Sequence, residues 1–219
     1  MRVLELKKLT PSKQLQILCI GAHCDDIDIG CGGAMLSLLT HYRGAQVTWV
    51  VLASTPAREA ELRASARRFL RAAGTARVLV HRFRDGFFPA HYASIKEIFE
   101  TLKQLPNPDL IFSHHRADLH QDHRVVAELT WNTFRNHLIL EYEIPKYEGG
   151  LSTPCAYVAL SRAQVERKIS ILLRSYQTQC SKGWFTDDTF RALMRLRGLE
   201  SGDGSGWAEG FHVSKLLLQ

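Results

Sequence analysis

His23-Cys24-Asp25-Asp26 and His120-Gln121-Asp122-His123 each pack imidazole and carboxylate into four residues. Two such segments brought together can hold one divalent metal ion. A catalytic zinc takes three protein ligands and leaves one position for water. His23 and Asp26 stand at i and i+3 and converge where a loop turns into a helix, and His123 supplies a third ligand from the second segment. Asp25 adjoins a ligand but points elsewhere, which suits a general base that takes a proton from water. His120 can reach across the site and, when protonated, stabilise an oxyanion. Asp122 is placed to hydrogen-bond an imidazole and fix its tautomer, with Asp118 in a similar position. Singly, such residues are more often caps or turn residues, and Asp25 or Asp122 could simply cap a helix. The metal reading rests on finding two dense clusters at equivalent places. His114 and His115 are rival ligands. Cys24 is a soft donor, disfavoured because its neighbours would have to turn away.

The elements that must position these residues alternate. Leu15 to Gly21, Gln46 to Ala53, Arg77 to Phe83, Asp109 to Ser113 and Leu138 to Glu143 read as strands. Helical spacing runs over Ala34 to Tyr42, Arg58 to Ala73, Ser94 to Leu105 and Asp122 to His137. This alternation predicts an α/β fold: a single-domain, Rossmann-like, doubly wound and mostly parallel sheet with helices on both faces. Parallel strands put the C-terminal ends of the first and fourth on one edge, where ligand sites of such sheets lie. Beyond residue 150 the pattern is less regular: a strand at Tyr157 to Leu160, helices at Ser161 to Arg174 and Thr186 to Leu196, and a flexible loop or lid at Gly202 to Gly206. With no repeat and no linker, one domain over residues 1–219 is expected. Gly30-Cys31-Gly32-Gly33 is a poor dinucleotide signature, because Met35 stands where a third glycine is needed.

The formal net charge is +6, with arginines concentrated between Arg58 and Arg71. A solvated helix face is the simpler account of that run, and no nucleic-acid module is apparent. The five cysteines form no C-x-x-C pair. No membrane span is expected, and the basic, mixed stretch from Met1 to Lys13 does not read as a signal peptide, so the expected location is cytoplasmic.

The two motifs together resemble those of the PIG-L/LmbE-like zinc de-N-acetylases. The family's first motif runs A-H-P-D-D-x-E-x-G-x-G-G, and Ala22 to Gly33 reads A-H-C-D-D-I-D-I-G-C-G-G; its second is H-x-D-H, matched by His120 to His123. Similar features follow in Arg58-Glu59-x-Glu61, in Asp85-Gly86, in the Y-Q-T-Q of Tyr176 to Gln179 and in Glu209-Gly210-Phe211. The resemblance implies one zinc per chain on His23, Asp26 and His123, with Asp25 as base and His120 polarising the carbonyl. It also implies substrate-hydroxyl contacts from Arg58 and Asp85. Cys24 in place of the family's proline, and Asp28 in place of its glutamate, are departures.

The expected function is removal of an N-acetyl group from an N-acetylglucosamine-like amino sugar, in a chain capable of homo-oligomerisation. The rivals are another single-metal hydrolase, such as an amidase or phosphoesterase, and a catalytically silent sugar- or metal-binding protein. Phe87, Phe88, Trp184, Phe185 and Trp207 are candidates for a sugar-stacking wall, with core packing the alternative for each.

Overall fold

The computed structural model describes residues 14–216, so the stretch Met1 to Lys13 lies outside the described residues. Seven strands form one sheet: β1 (Gln16–Gly21), β2 (Gln46–Ala53), β3 (Thr75–Phe83), β4 (Leu110–His114), β5 (Ile139–Tyr142), β6 (Ala156–Ala159) and β7 (Ala208–His212). Among the described residues, six α-helices surround it: α1 (Asp26–His41), α2 (Pro56–Phe69), α3 (Tyr92–Leu102), α4 (Gln121–Thr133), α5 (Arg162–Ser175) and α6 (Asp187–Ser201). The strand order is β3-β2-β1-β4-β5-β7-β6. The first five strands are parallel, and β7 runs antiparallel to both β5 and β6.

Strand periodicity explains the layers. Ile17 and Cys19 of β1 face one core, with Leu62 and Phe69 of α2 and Val165, Ile169 and Leu172 of α5. Leu18 and Ile20 face the other, with Ile95 and Phe99 of α3 and Val126 and Leu129 of α4. A strand apolar at every position is thus buried on both faces, the mark of a parallel sheet between helical layers. The expected doubly wound fold is what the chain adopts.

Helix α1 starts at Asp26, eight residues before the Ala34 start expected from the sequence. The glycine run lies inside a kinked helix. Cys31 leaves helical geometry (φ −143°, ψ 16°), and the Glu209 carboxylate accepts the N–H groups of Gly33 (2.8 Å) and Ala34 (2.7 Å) at the break. Lys168 Nζ lies 2.6 Å from the same carboxylate, and both side chains are buried. Gly30 is obligatory for packing, because a Cβ there would lie 2.2 Å from the Tyr142 ring. The strand β7 that carries Glu209 has no counterpart in the strands expected from sequence.

Residues Gly202 to Gly206 form a bonded turn. Gly202 closes α6 in the left-handed region (φ 63°), Ser205 N–H donates to Asp203 Oδ2 at 2.9 Å, and Arg195 Nη1 donates to the Gly206 carbonyl at 2.6 Å. Several of the arginines are paired internally. Arg63 and Arg82 both meet Glu59, Arg191 meets Glu166 and Asp187, and buried Arg197 meets Glu143 and Glu200. Among the described residues, no helix is long and apolar enough to cross a membrane.

Candidate metal centre and active site

Strand β1 lies between β2 and β4, so the chain leaves it in opposite directions on its two sides. The crevice at such a reversal is where open α/β sheets bind ligands. The first His/Asp segment leaves the C-terminal end of β1 and turns directly into α1. The second lies between β4 and α4 and enters α4 at Gln121.

The two segments meet. His23 Nδ1 is 3.2 Å from His123 Nε2 and 3.3 Å from Asp26 Oδ2, and His123 Nε2 is 3.5 Å from Asp26 Oδ1. Nitrogen and oxygen donors around a tetrahedral zinc lie roughly 3.3 Å apart, so the spacing of these three fits such an ion. The orientation of the rings fits as well. The other nitrogen of His23, Nε2, lies 3.2 Å from Asp122 Oδ2, and that of His123, Nδ1, lies 3.1 Å from Asp118 Oδ2. A carboxylate behind each imidazole fixes the tautomer that turns a lone pair toward a metal. Asp26 is itself fixed by the His23 backbone N–H, 2.6 Å from Oδ2. Neighbouring histidines hold its carboxyl well below the usual range despite burial. Three further groupings overlap this one: His120 joins His23 and His123, His114 joins Asp26 and His123, and Asp85 and Asp122 join His23.

Asp122 is buried and accepts N–H bonds from Gly86 (2.6 Å) and Phe88 (3.1 Å), so it ties the segment after β3 to His23. Asp118 accepts the His120 N–H at 2.8 Å as well as a 2.6 Å contact from Lys146 Nζ. Lys146, on the segment after β5, is a part of the site that sequence reasoning missed. Nothing in its local sequence marks it, because the contact is made by tertiary packing alone.

Asp25 holds the N-cap position of α1, yet its side chain makes no capping bond. It is 6% exposed and accepts Arg58 Nη2 at 2.7 Å. Burial raises its pKa above the ordinary carboxylate value, with the Arg58 charge opposing. Arg58 thus bonds Asp25 and does not extend freely into the crevice, and its guanidinium lies 5.7 Å from the Tyr176 ring centre. Asp85 is the exposed member of the group, 3.0 Å from His23 Nε2.

His120 Nδ1 accepts the Asp122 N–H at 3.2 Å, and burial together with His123 and His23 lowers its pKa. With that bond made, Nε2 is the nitrogen left to face the crevice. A neutral Nε2–H remains a hydrogen-bond donor.

Of the rival ligands, His114 stays at the centre, its Nε2 3.2 Å from Asp26 Oδ2, while His115 and Cys24 turn elsewhere. His114 Nε2 accepts the Ala22 N–H at 3.0 Å, and its ring stacks on His123 with centroids 3.9 Å apart. Burial, foremost, pushes its pKa down to about 4, which keeps it neutral. His115 turns to Glu141 (2.7 Å) and stacks on His212. The Cys24 thiol faces the Ala53 carbonyl at 3.5 Å, and burial pushes its pKa up to about 12. It is a protonated core group and not a ligand. Asp28 bonds Ser65 and lies 2.9 Å from the Tyr176 hydroxyl, which also bonds the Cys24 carbonyl at 2.7 Å. Burial pushes the Asp28 pKa up to about 7. Of the aromatic candidates, Phe88 and Phe185 are core residues, Trp184 and Trp207 pack against the core, and Phe87 is exposed.

Solved structures share this fold. A conserved protein of Thermus thermophilus superposes with a TM-score of 0.71 at 20% identity, over 94% of this chain and 97% of that one. The N,N'-diacetylchitobiose deacetylase of Pyrococcus horikoshii gives 0.66 at 20% identity, over 95% and 86%. The 4-carboxy-2-hydroxymuconate hydratase of Pseudomonas putida gives 0.71 at 17% identity, over 94% and 98%. At these identities the likeness is one of fold, and the reactions in these names differ. No curated protein matches the sequence. A family model does: the one described as PIG-L, GlcNAc-PI de-N-acetylase, matches residues 18–134, which hold both His/Asp segments. More than half of the chain lies in that match, and the chain belongs to the PIG-L family.

Proposed function

We propose that this protein is a zinc-dependent hydrolase that removes the N-acetyl group from an N-acetylglucosamine-like amino sugar or sugar conjugate. The observation that carries the proposal is the convergence of His23 Nδ1, Asp26 and His123 Nε2 with a carboxylate behind each imidazole. These three residues would hold one zinc ion per chain, and two-histidine, one-carboxylate sets suit zinc. When bound, the ion lowers the pKa of a water molecule and polarises a carbonyl oxygen.

The remaining groups divide the proton work. Asp25 is buried, paired with Arg58 and free of any capping role, so it takes a proton from the attacking water. Arg58 holds that carboxylate in place through Oδ1. His120 directs its Nε2–H at the carbonyl oxygen as negative charge develops there. Asp118 positions His120 through the backbone N–H and His123 through the ring. Asp25 then carries the proton that the leaving amine requires. Asp85, on the exposed side of His23, is available to a sugar hydroxyl. The five free cysteines support a reducing compartment, in keeping with a cytoplasmic enzyme.

The test is a screen of zinc-loaded protein against N-acetylated amino sugars, with free amine as the readout. Asp25→Asn is expected to keep the metal and lose turnover by about a hundredfold or more. Full activity in that variant would remove Asp25 as the base. The hydratase among the structural relatives is the second reading to exclude, by adding unsaturated hydroxy acids to the screen.

A further inference from the structure

Tyr176 closes α5, and its side chain is fully buried. A buried tyrosine needs a partner for its hydroxyl, and both partners here lie where β1 turns into α1. The hydroxyl donates to the Cys24 carbonyl at 2.7 Å and lies 2.9 Å from Asp28 Oδ2. The Cys24 carbonyl and the Asp25 N–H share one planar peptide. Holding that carbonyl therefore holds the plane from which Asp25 departs. The other end of Asp25 is held as well, because its carbonyl accepts the Ile29 N–H at 2.9 Å. Its carboxylate is held by Arg58 Nη2 at 2.7 Å, and the Arg58 guanidinium lies within cation–π range of the Tyr176 ring, 5.7 Å from its centre. Thr178, two residues on, reaches the same arginine. Its N–H and hydroxyl bond the two Glu61 oxygens at 2.8 and 2.7 Å, and Glu61 Oε2 is 3.8 Å from Arg58 Nε.

We propose that Tyr176 is a positioning residue for the reaction. It sets the place of the Asp25 carboxylate twice over, through the Cys24 carbonyl and through Arg58, and Thr178 supports the second contact by way of Glu61. The proposal rests on the reading of Asp25 as the base. Neither arm passes through the side chains of His23, Asp26 or His123, so the metal ligands keep their places when an arm is cut. The base does not. Displacing a reacting group by about 1 Å costs about a hundredfold in rate, and on the order of half that displacement costs about tenfold. Core packing is the competing account of a buried tyrosine, and the two accounts separate cleanly. A packing role acts on the fraction of protein that is folded, whichever group does the chemistry. A positioning role acts only while Asp25 is there to be positioned.

The test is a double-mutant cycle on the zinc-loaded full chain, with the N-acetylated amino sugar that the parent protein turns over. Tyr176→Phe keeps the ring and removes the hydroxyl. It is expected to lower kcat by about tenfold, with KM and bound zinc within about twofold of the parent. In the Asp25→Asn background the same substitution is expected to change the residual rate by less than about twofold. Thr178→Val, at an exposed position, is expected to repeat this pattern at about threefold, and it carries the test if Tyr176→Phe does not fold. Ser65→Ala removes the other partner of Asp28 and keeps kcat, which separates the Cys24 contact from the one to Asp28. Full kcat in Tyr176→Phe overturns the proposal. So does an equal loss with and without Asp25, which would make Tyr176 a structural residue. Loss of zinc from Tyr176→Phe also overturns it, by moving the effect to the ligands. Full activity in Asp25→Asn alone, or no amine from the parent protein, removes the underlying reading instead.

Discussion

At the scale of single residues, the centre is built from pairs in which one group sets the state of another. Asp25 and Arg58 are one such pair. Burial raises the Asp25 pKa and Arg58 opposes it. A base works only when ionised, so activity falls as pH drops through that pKa. Arg58→Gln removes the opposing charge, and the acid limb of kcat/KM against pH is expected to move to higher pH. An unmoved limb would mean that another group limits the rate. His123 and Asp118 are a second pair. Asp118→Asn is expected to weaken zinc binding by about 10–100-fold, measured by competition with a chelator. His23, Asp25, Asp26, His120, Asp122 and His123 were all legible in the sequence, because density of unlike donors after a strand is itself a signal. The bond from the Asp122 N–H to His120 Nδ1 was not, since it depends on how the chain turns into α4. Nor was the engagement of Arg58 with Asp25, a contact across 33 positions.

At the scale of elements, α1 sets the geometry of the first segment. Its early start at Asp26 places His23, Asp25 and Asp26 on a tight turn out of β1. Glycines at positions 30, 32 and 33 argue against a helix on propensity, at about 1 kcal/mol each. Tertiary packing overrides that cost: Tyr142 lies against Gly30 and Phe69 against Gly32, with Glu209 against Gly33. Gly30→Ala forces a methyl group into the Tyr142 ring, and a loss of about 1–3 kcal/mol is expected from the denaturant midpoint. A wild-type midpoint would show that the ring moves aside without cost. The strands from β1 to β5 were readable because apolar runs bounded by helical spacing are unambiguous in a parallel sheet. Strand β7 escaped notice because its Ala-Glu-Gly-Phe-His sequence has neither alternation nor β-branched residues.

At the scale of the whole molecule, two buried ion pairs join distant parts of the chain. Arg197 on α6 bonds Glu143 after β5, at 2.6 and 2.8 Å, and Lys168 on α5 bonds Glu209 on β7. Removing one partner of such a pair leaves a charge stranded in the core. Glu209→Ala strands Lys168 and uncaps the second half of α1, and a loss of about 3–5 kcal/mol is expected in urea unfolding. Zinc affinity is expected to fall with it, because the helix that begins at Asp26 loses its brace.

That brace has a consequence for how the protein is made. Every group assigned to the metal and the proton steps is synthesised by residue 123, yet the helix that holds the first of them is completed by a side chain at position 209. A ribosome adding residues at about 5–20 per second needs several seconds to cover that interval. During it, the nascent chain has all the ligands and no rigid frame for them. Docking of β7 is therefore expected to precede firm closure of α1 around the candidate site.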